Sequence, residues 1–444
     1  MKPMVAIVGR PNVGKSTFFN RIVGKRMSIV EDVPGVTRDR IYADAEWLGR
    51  HFTLVDTGGI DPESEDVLFG HMRRQAEMAI EMADVILFFV DGREGLTGMD
   101  REVGELLRRT RKPVILVVNK VDSGVSQDAA EFYELGMGDP QIISAANSLG
   151  LGDLLDEVLA HFPELPVEEE GERPIHIAVV GKPNVGKSSL VNRILNEERS
   201  IVSDIPGTTR DALDTPFMHN EQEYVIIDTA GIRKKARIDD GSVERYSVIR
   251  SLMAIRRCDV ALILIDANEG VTEQDTKIAG YVHEEGKACV VVVNKWDAVD
   301  KDTGTMEKVR RQVMQDLSFM SYARTLFISA LTGQRVNRIV EEVDAAYAQA
   351  SHRIPTGVLN DILHDAITMN EPPYIKGKQL KIYYATQAGV CPPTFILFVN
   401  DIRRMHFSYE RYLENQFRKA FGFEGTPIRL IARNRNEGDP VKLK

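Results

Sequence analysis

Gly9-Arg-Pro-Asn-Val-Gly-Lys-Ser16 recurs 172 residues later as Gly181-Lys-Pro-Asn-Val-Gly-Lys-Ser188. Each copy follows a short β-branched run and matches the pattern Gly-x4-Gly-Lys-Ser of a phosphate-binding loop. The glycines let backbone N–H groups close around phosphates, and the N-terminus of the following helix adds positive potential. The two segments therefore predict two nucleotide sites, each at the junction of a strand and a helix.

The repeat extends beyond the phosphate-binding loops. Four more segments recur in the same order: Pro34–Asp39 as Pro206–Asp211, Asp56–Ile60 as Asp228–Ile232, Asn119–Asp122 as Asn294–Asp297, and Ser144–Ala146 as Ser329–Leu331. Five motifs in one order leave little room for chance, and we infer that the chain contains one domain twice.

Within each copy, short β-branched runs alternate with stretches of helical pattern, and Val5–Val8 and Val85–Val90 are two such runs in the first. This alternation predicts an α/β fold, with a mostly parallel sheet and helices on both faces. The functional loops of such a sheet follow the carboxyl ends of its strands.

The chain divides by composition into four segments. Pro163–Pro174 holds three prolines and five glutamates, which is typical of an extended, solvated linker. After about Ser351, a helix, two strands, an amphipathic helix and a last strand predict a small α+β domain. We predict domains at 1–164, 175–350 and 351–444, with an acidic linker at 165–174.

Composition limits the class of protein. Of 444 residues, 43% are hydrophobic and 27% are charged, which is close to the average for folded soluble proteins. The apolar runs are shorter than the roughly 20 residues of a membrane-spanning helix, and the N-terminus lacks a signal-peptide pattern. Cys258, Cys289 and Cys391 are far apart and resemble reduced thiols. We expect a cytoplasmic protein that does not contact a membrane.

Charge is unevenly distributed along the chain. The formal net charge is −10, yet residues 351–444 carry 14 basic and 9 acidic side chains. A basic segment on an acidic protein is a candidate contact for a polyanion, although a merely solvated basic surface is the alternative.

Catalytic residues are predicted at the phosphate end of each site. Lys15 and Lys187 should reach the β- and γ-phosphates. Gly59 and Gly231 allow a backbone N–H to approach the γ-phosphate, so loss of that phosphate would release the segment.

Ligands for Mg²⁺ are predicted in both copies. Each set contains a loop serine, an aspartate that acts through water, and a threonine whose hydroxyl joins the ion in the triphosphate state. The sets are Ser16, Thr37 and Asp56, and Ser188, Thr209 and Asp228. For each threonine, an ordinary turn role is the alternative.

The repeated Asn-Lys-x-Asp segment predicts the base. The carboxylate of Asp122 or Asp297 can accept two hydrogen bonds from guanine N1–H and the exocyclic amine, whereas adenine would leave it unpaired. The asparagines would position the loop, the lysines would flank the base, and a Ser-Ala pair would contact the guanine oxygen through its backbone. We expect both copies to bind GTP and GDP, which argues against a P-loop ATPase or helicase.

The predicted nucleotide-binding residues form two parallel sets. In the first copy they are Gly9, Arg10, Pro11, Asn12, Val13, Gly14, Lys15, Ser16, Asp56, Thr57, Gly58, Gly59, Ile60, Asn119, Lys120, Val121, Asp122, Ser144 and Ala145. In the second copy they are Gly181, Lys182, Pro183, Asn184, Val185, Gly186, Lys187, Ser188, Asp228, Thr229, Ala230, Gly231, Ile232, Asn294, Lys295, Trp296, Asp297, Ser329 and Ala330.

Two complete GTPase motif sets followed by a small α+β domain resemble the Der (EngA) family, bacterial tandem GTPases of ribosome assembly. The resemblance covers essentially the whole chain, and relatives such as Era carry a single motif set. It implies GTP hydrolysis, a KH-like C-terminal domain, and nucleotide-controlled association with the large ribosomal subunit and its rRNA. We expect a monomer in solution. The alternative is a nucleotide-gated RNA- or ribosome-binding scaffold in which one domain binds GTP without significant hydrolysis.

The residue after Asp-x-x-Gly limits the mechanism. Ras-type GTPases place a glutamine there to orient the attacking water, whereas Ile60 and Ile232 stand here. Asn12 and Asn184 match a position that helps to bind K⁺ in related potassium-activated GTPases. We expect slow, K⁺-stimulated hydrolysis, because a monovalent cation near the phosphates would neutralise developing charge. The alternative is that these asparagines only shape the loop.

The segments after Asp-x-x-Gly-Ile differ in charge between the copies. Asp61–Asp66 is acidic, whereas Arg233, Lys234, Lys235 and Arg237 make the second segment basic. The contrast predicts different partners for the two domains, with RNA phosphates or an acidic neighbouring face for the second. Two solvated loops are the alternative.

The C-terminal domain combines basic and aromatic side chains: Lys376, Lys378, Lys381, Tyr383, Tyr384, Arg403 and Arg404. Such a combination suits single-stranded RNA, although the tyrosines could equally belong to the core. Gly422–Gly425 has the letters of a KH Gly-x-x-Gly loop but falls between a helix and the last strand and carries Glu424, so it is not assigned that role.

Overall fold

The computed structural model describes residues 3–23, 42–57, 73, 76–77, 79–80, 83–122, 126–162, 173–197, 214–228, 243–300, 302–375 and 378–435. They form two compact units. The first domain makes one unit, and the second domain together with the C-terminal domain makes the other.

The first domain is built on a six-stranded sheet in the order β2-β3-β1-β4-β5-β6. Its strands are β1 (Met4–Val8), β2 (Tyr42–Trp47), β3 (Arg50–Asp56), β4 (Val85–Asp91), β5 (Val114–Asn119) and β6 (Gln141–Ile142). Neighbouring strands are parallel except for β2 and β3. Its helices include α1 (Lys15–Val23), α2 (Gly98–Leu107) and α3 (Leu151–Ala160), with a 3₁₀ helix at Ser126–Leu135.

Both faces of this sheet are buried. On one face, Val5 and Ile7 belong to a core that includes Phe18 of α1. On the other, Val8 belongs to a core with Val103 of α2. Parallel strands covered on both faces need apolar residues at nearly every position, which explains the unbroken apolar runs. The predicted α/β fold is confirmed.

The second domain repeats this topology. Its sheet has the order β8-β9-β7-β10-β11-β12, which is the order of the first sheet with equivalent strands in equivalent places. The strands are β7 (Ile175–Val180), β8 (Thr215–His219), β9 (Gln222–Ile226), β10 (Val260–Asp266), β11 (Ala288–Asn294) and β12 (Arg324–Phe327). The helices are α4 (Lys187–Glu197), α5 (Val243–Arg257), α6 (Glu273–Glu284), α7 (Thr305–Asp316) and α8 (Arg338–Ala350), with short 3₁₀ helices at Trp296–Ala298 and Ser318–Met320.

An antiparallel edge hairpin is present in both domains, and sequence analysis did not anticipate it. The two turn residues have positive φ in each: Leu48 (46°) and Gly49 (79°), then Asn220 (47°) and Glu221 (68°). Two left-handed residues give a turn whose twist matches that of the strands. The signal was present in the short alternating stretch before the turn, but Leu48 is an unusual residue for a left-handed position.

The C-terminal domain is an α+β unit. It contains α9 (Thr356–Met369), the short pair β13 (Tyr374–Ile375) and β14 (Lys378–Gln379), then β15 (Ile382–Gly389), β16 (Thr394–Val399), α10 (Phe407–Phe421) and β17 (Arg429–Asn434), with a 3₁₀ helix at Ile402–Arg404. The sheet order is β15-β16-β17, with β16 antiparallel to β15 and parallel to β17. Both helices contribute to the core on one face of this sheet, as do Phe395 and Leu397.

Backbone hydrogen bonds join the second and C-terminal domains. The N–H of Cys289 donates to the Gly425 carbonyl (2.7 Å), and the N–H of Gly425 donates to the Tyr322 carbonyl (2.7 Å). Gly425 has φ +79°, and a Cβ there would lie 2.9 Å from the Cβ of Ala346. The Gly422–Gly425 turn is therefore a docking element.

His283 lies at this junction. Its Nδ1 is 2.9 Å from the Tyr322 hydroxyl, and the Arg418 guanidinium stacks 4.7 Å above the Tyr322 ring. Burial, followed by the positive charges of Arg418 and Arg429, lowers the pKa of His283 to about 4. The imidazole is thus neutral at pH 7, with Nδ1 available to accept from the hydroxyl.

The depressed pKa of His283 predicts acid sensitivity of this unit. Below pH 6.5 the imidazole of His283 is protonated in the unfolded chain, but in the folded chain it stays neutral until about pH 4. The free energy of unfolding should therefore fall by about 3 kcal/mol as the pH drops across that window. Urea unfolding followed by the fluorescence of Trp296, in a Trp47→Phe background, measures it. His283→Gln should flatten the slope between pH 6.5 and 4, and an unchanged slope would contradict the assignment.

Candidate nucleotide-binding sites

The phosphate-binding loops lie where the central strands β1 and β7 end. Gly9 passes so close to β4 that a Cβ there would lie 2.3 Å from the Phe89 carbonyl oxygen. At Gly14 and Gly186, φ is +93° and +102°, and an added Cβ would lie 2.3 Å from the amide nitrogen of Asn119 or Asn294. The loop glycines are thus required by close contacts as well as by backbone conformation.

The loop lysines reach across their own loops. Lys15 Nζ donates to the carbonyls of Gly9 (2.6 Å) and Arg10 (2.8 Å). Lys187 Nζ makes the equivalent bonds to Gly181 (2.7 Å) and Lys182 (2.6 Å). Burial lowers the pKa of Lys15 to about 8, opposed by the charge of Asp56 and assisted by that of Arg10. The ammonium remains mostly protonated at pH 7, as a phosphate contact requires.

In the first domain, two of the three predicted Mg²⁺ ligands, Ser16 and Asp56, lie together. The Ser16 hydroxyl donates to Asp56 Oδ2 (2.8 Å), and Asp56 is buried at the end of β3. A hydroxyl beside a carboxylate is a set of hard oxygen donors that fits Mg²⁺. Next to them, the hydroxyl of Thr57 donates to the Ile7 carbonyl (2.6 Å), which attaches the segment after β3 to β1.

The equivalent aspartate of the second domain has different surroundings. Asp228 has φ 57°, its N–H donates to Asp214 Oδ1 (3.0 Å), and its Oδ1 is 3.9 Å from Arg250 Nη1. The residue that aligns with Arg250 in the first copy is Gln75, which carries no charge. A cation from α5 therefore lies beside the Mg²⁺-ligand candidate of the second domain.

One asparagine in each domain connects the two ends of the site. Asn119 Nδ2 donates to the Val13 carbonyl (2.7 Å), and its Oδ1 accepts from the Ala145 N–H (3.0 Å). Asn294 makes the same two bonds, to Val185 (2.9 Å) and from Ala330 (2.9 Å). The phosphate loop, the Asn-Lys-x-Asp segment and the Ser-Ala segment are thus brought together in both copies.

The specificity candidate of the first domain is held as a carboxylate. Asp122 Oδ1 accepts from Ser144 Oγ (2.9 Å) and Asn147 Nδ2 (2.9 Å), and Arg93 forms an ion pair with Oδ2. The Ser144 bond, followed by Arg93, keeps the pKa of Asp122 below its usual range. Asp297 is exposed at the equivalent place.

Two acidic partners of the base-flanking lysines were missed by sequence analysis. Lys120 Nζ is 2.6 Å from Asp91 Oδ2, and Lys295 Nζ is 2.6 Å from Asp266 Oδ2. Both carboxylates are buried at strand ends. Burial alone would raise the pKa of Asp91, but the hydrogen bond from Lys120 and backbone donors lower it overall. An aspartate ending an apolar strand at the same place in each copy was the available signal.

Sequence analysis also missed two contacts that hold Arg10, the second residue of the first phosphate-binding loop. Arg10 forms an ion pair with Glu94, and its Nε is 3.4 Å from Asp100 Oδ2. Asp100 is completely buried and forms a capping box with Thr97 at the start of α2. The loop is thereby attached to the helix beyond β4.

The second domain repeats this arrangement with a lysine. Lys182 Nζ donates to Glu269 Oε2 (2.6 Å) and lies 3.7 Å from Asp275 Oδ2. Asp275 is buried and forms the capping box of α6 with Thr272. Both domains thus place a buried, helix-capping aspartate beside the second residue of the phosphate-binding loop, although that residue is arginine in one and lysine in the other. We call this aspartate the buried anchor.

Several predicted residues lie outside the described part of the chain: Thr37, Gly58, Gly59, Ile60, Asp61–Asp66, Thr209, Thr229, Ala230, Gly231, Ile232, Arg233, Lys234, Lys235, Arg237 and Lys376. Their predicted roles, including the charge contrast between the two segments that follow Asp-x-x-Gly-Ile, stay predictions. Within the described helices, none is long and apolar enough to cross a membrane.

The basic and aromatic residues predicted as a cluster in the C-terminal domain lie on several of its elements. Lys378 lies in β14, Lys381 precedes β15, and the tyrosines lie in β15. Arg403 and Arg404, in the 3₁₀ helix after β16, are each paired with Asp401 (3.1 and 3.2 Å).

Comparisons with known proteins agree with this architecture. A family model described as "50S ribosome-binding GTPase" matches residues 4–120 and 176–295, and one described as "KH-domain-like of EngA bacterial GTPase enzymes, C-terminal" matches residues 353–433. The chain is 62% identical to "GTPase Der" of Acetivibrio thermocellus, covering 98% of this chain and 99% of that protein.

The chain belongs to the Der family of GTPases. A second relative, "GTPase Der" of Alkaliphilus oremlandii, is 60% identical over 99% of this chain and 100% of its own length. A third, from Moorella thermoacetica, is 59% identical over 98% of this chain and 99% of its own. The family resemblance inferred from the motifs is confirmed, together with tandem GTPase domains and a KH-like third domain.

Loss of the buried anchor should weaken nucleotide binding at its own site. Asp100→Asn leaves the Arg10 guanidinium without its buried countercharge, and we expect GDP affinity at the first site to fall about tenfold. A fluorescent GDP titration in a Lys187→Ala background isolates that site. Arg10→Lys, which installs the cation of the second copy, should stay within about threefold of wild type. Unchanged affinity in Asp100→Asn would show that the anchor does not position the loop.

Proposed function

We propose that this GTPase acts in maturation of the large ribosomal subunit, with its two nucleotide sites controlling association with the subunit and its rRNA. The observation that two nucleotide sites with the same linked loops occur in one chain supports control by two sites. The description of the matching GTPase family model and the KH-like third domain support the ribosome as the partner. We further propose that the protein is a cytoplasmic monomer in solution.

The geometry of the loops supports the roles that we propose for their residues. Lys15 and Lys187 bind the β- and γ-phosphates, and Ser16 with Asp56 holds Mg²⁺, which neutralises phosphate charge when bound. Asp122 and Asp297 read guanine, positioned by Asn119 and Asn294. For a carboxylate to accept from guanine it must be ionised, and the bond from Ser144 together with the Arg93 ion pair maintains that state in Asp122.

Neither Ile60 nor Ile232 can orient water, so charge neutralisation must carry more of the rate. We propose K⁺ for this role, with Asn12 and Asn184 among its ligands. Both asparagines have positive φ, 65° and 61°, which also gives them a purely conformational use. A test must therefore separate the amide from the backbone conformation.

The second candidate function is a nucleotide-gated scaffold in which one domain hardly hydrolyses GTP. The ion pair between Arg250 and Asp228 favours it for the second domain, because a cation there competes with Mg²⁺ for the carboxylate. Single-turnover hydrolysis in Lys15→Ala and Lys187→Ala proteins distinguishes the candidates, since each variant retains one intact site.

Replacing both loop asparagines by glycine separates the amide from the conformation. Wild-type hydrolysis should be about tenfold faster in K⁺ than in Na⁺. Glycine keeps the left-handed conformation, so the Asn12→Gly, Asn184→Gly protein should fold and bind GTP but lose this difference. Retained stimulation would assign the asparagines to loop shape alone, and equal wild-type rates in the two salts would remove K⁺ from the mechanism.

Cosedimentation with ribosomal subunits tests the proposed function. Wild type should bind the large subunit with a non-hydrolysable GTP analogue and release it with GDP, and one of Lys15→Ala and Lys187→Ala should lose the triphosphate-dependent binding. That variant identifies the gating domain. Absence of binding by wild type in every nucleotide state would leave a GTPase without a ribosomal role.

A further inference from the structure

The turn that has the letters of a KH clamp is occupied by the second domain. Besides its two backbone bonds through Gly425, the Phe423 N–H donates to Gln349 Oε1 (2.7 Å), and the Phe423 side chain is completely buried. Arg324 lies 3.9 Å from Glu424. Phe423 and Gly425 of this turn are buried against protein, and its exposed side chain, Glu424, is an anion that would repel phosphates. We therefore look for an RNA surface elsewhere in this domain.

The three-stranded sheet of the C-terminal domain has two unlike faces. Strand pairing places Ala385, Leu397 and Ala432 in one row, and these residues belong to the core beneath α9 and α10. The next row in register, Tyr384, Phe398 and Arg433, lies on the opposite face. We name this opposite side the outer face.

Aromatic rings occupy one half of the outer face. Tyr384 and Phe398 are stacked with ring centroids 4.3 Å apart and planes at 17°. Beside them, Tyr383 is 44% exposed. None of the three belongs to the hydrophobic core cluster of the domain, which resolves the choice between a core and a surface role for the two tyrosines.

Arginines line the other half. Along β17, exposed and less exposed residues alternate, and Arg429, Ile431 and Arg433 are the exposed ones. Just beyond the strand, the Arg435 guanidinium lies 4.7 Å above the Tyr383 ring. The segments Ile382–Gly389, Thr394–Val399 and Arg429–Asn434 contain no aspartate or glutamate.

We propose that the outer face, defined by Tyr383, Tyr384, Phe398, Arg433 and Arg435, binds single-stranded RNA, with bases stacked on the rings and phosphates paired with the arginines. The inference rests on the proposed ribosomal function and names the surface that would touch rRNA. Flat rings next to guanidinium groups are what unpaired bases and a phosphate backbone require. A protein partner of ordinary surface composition would offer fewer anions than an RNA backbone to three strands that contain no carboxylate.

The arginines of the 3₁₀ helix provide a matched control. Arg403 is more exposed than any of these rings, with 89% of its side chain accessible, but Asp401 pairs with it and it lies beyond β16. The substitutions Arg433→Gln and Arg403→Gln remove the same charge from one domain, so they separate local contact from a change in net charge.

The test is fluorescence anisotropy of a fluorescein-labelled 12-nucleotide single-stranded RNA with the full chain, in GDP and in a non-hydrolysable GTP analogue. Arg433→Gln should weaken binding about fivefold and make the slope of log K against log salt concentration shallower by about 0.7, the value for one phosphate contact on a single strand. Tyr383→Ala should weaken binding about tenfold with an unchanged slope, whereas Tyr383→Phe should bind like wild type, because stacking needs the ring and not the hydroxyl. Arg403→Gln should bind like wild type.

Three results would overturn the inference: a wild-type protein that binds no RNA in either nucleotide state, a loss of affinity in Arg403→Gln with none in Arg433→Gln, or an unchanged affinity in Tyr383→Ala. Large-subunit cosedimentation and GTP hydrolysis are measured on the same proteins. If Arg433→Gln and Tyr383→Ala lose subunit binding but keep their affinity for the RNA probe, the outer face binds protein. If wild type binds the subunit and the outer-face variants change neither binding reaction, the proposed function stands and this surface is wrong.

Discussion

The two hydrogen bonds of Asn119 hold the first nucleotide site together. Its amide nitrogen binds the phosphate loop at Val13, and its amide oxygen binds the Ser-Ala segment at Ala145. An aspartate could not donate to the Val13 carbonyl and a leucine could do neither, so a buried primary amide is the side chain that sets the distance between the two ends of the site. Gly14 follows from the same contact, since any Cβ would lie 2.3 Å from that amide nitrogen. Asn294 imposes the same geometry on the second domain.

Sequence could predict what is local. The phosphate loops, the Asn-Lys-x-Asp segments and the α/β alternation are readable because spacing along the chain fixes them. The roles of Asp91 and Asp100 were missed although an aspartate recurs at each place in the second copy, because each acts through a cation supplied by a distant segment, and a lone aspartate at a strand end or a helix start has many other uses. The edge hairpins were missed for a different reason: Leu48 is an unusual residue in a left-handed turn position, and the turn signal of its alignment partner, Asn220, was not used.

The two domains share the contacts that hold the phosphate-binding loop, and they differ in the contacts of one Mg²⁺-ligand candidate. Both keep the buried acidic anchor of the second loop residue, even though the cation changed from arginine to lysine. At the aspartate that follows the edge hairpin, the Ser16 hydroxyl donates to Asp56 in the first domain, and Arg250 Nη1 lies 3.9 Å from Asp228 in the second. A cation thus lies beside a metal-ligand candidate in the second domain.

The Gly422–Gly425 turn connects the C-terminal domain to the strand that ends at the second nucleotide site. The turn is bonded to Cys289, near the beginning of β11, and the same strand ends at Asn294, which ties the second nucleotide site together. At the rise of an extended strand, roughly 17 Å separates these two points. Gly425 lets the two backbones meet, because a Cβ there would lie 2.9 Å from the Cβ of Ala346. The residue that docks the C-terminal domain is therefore one that tolerates no side chain.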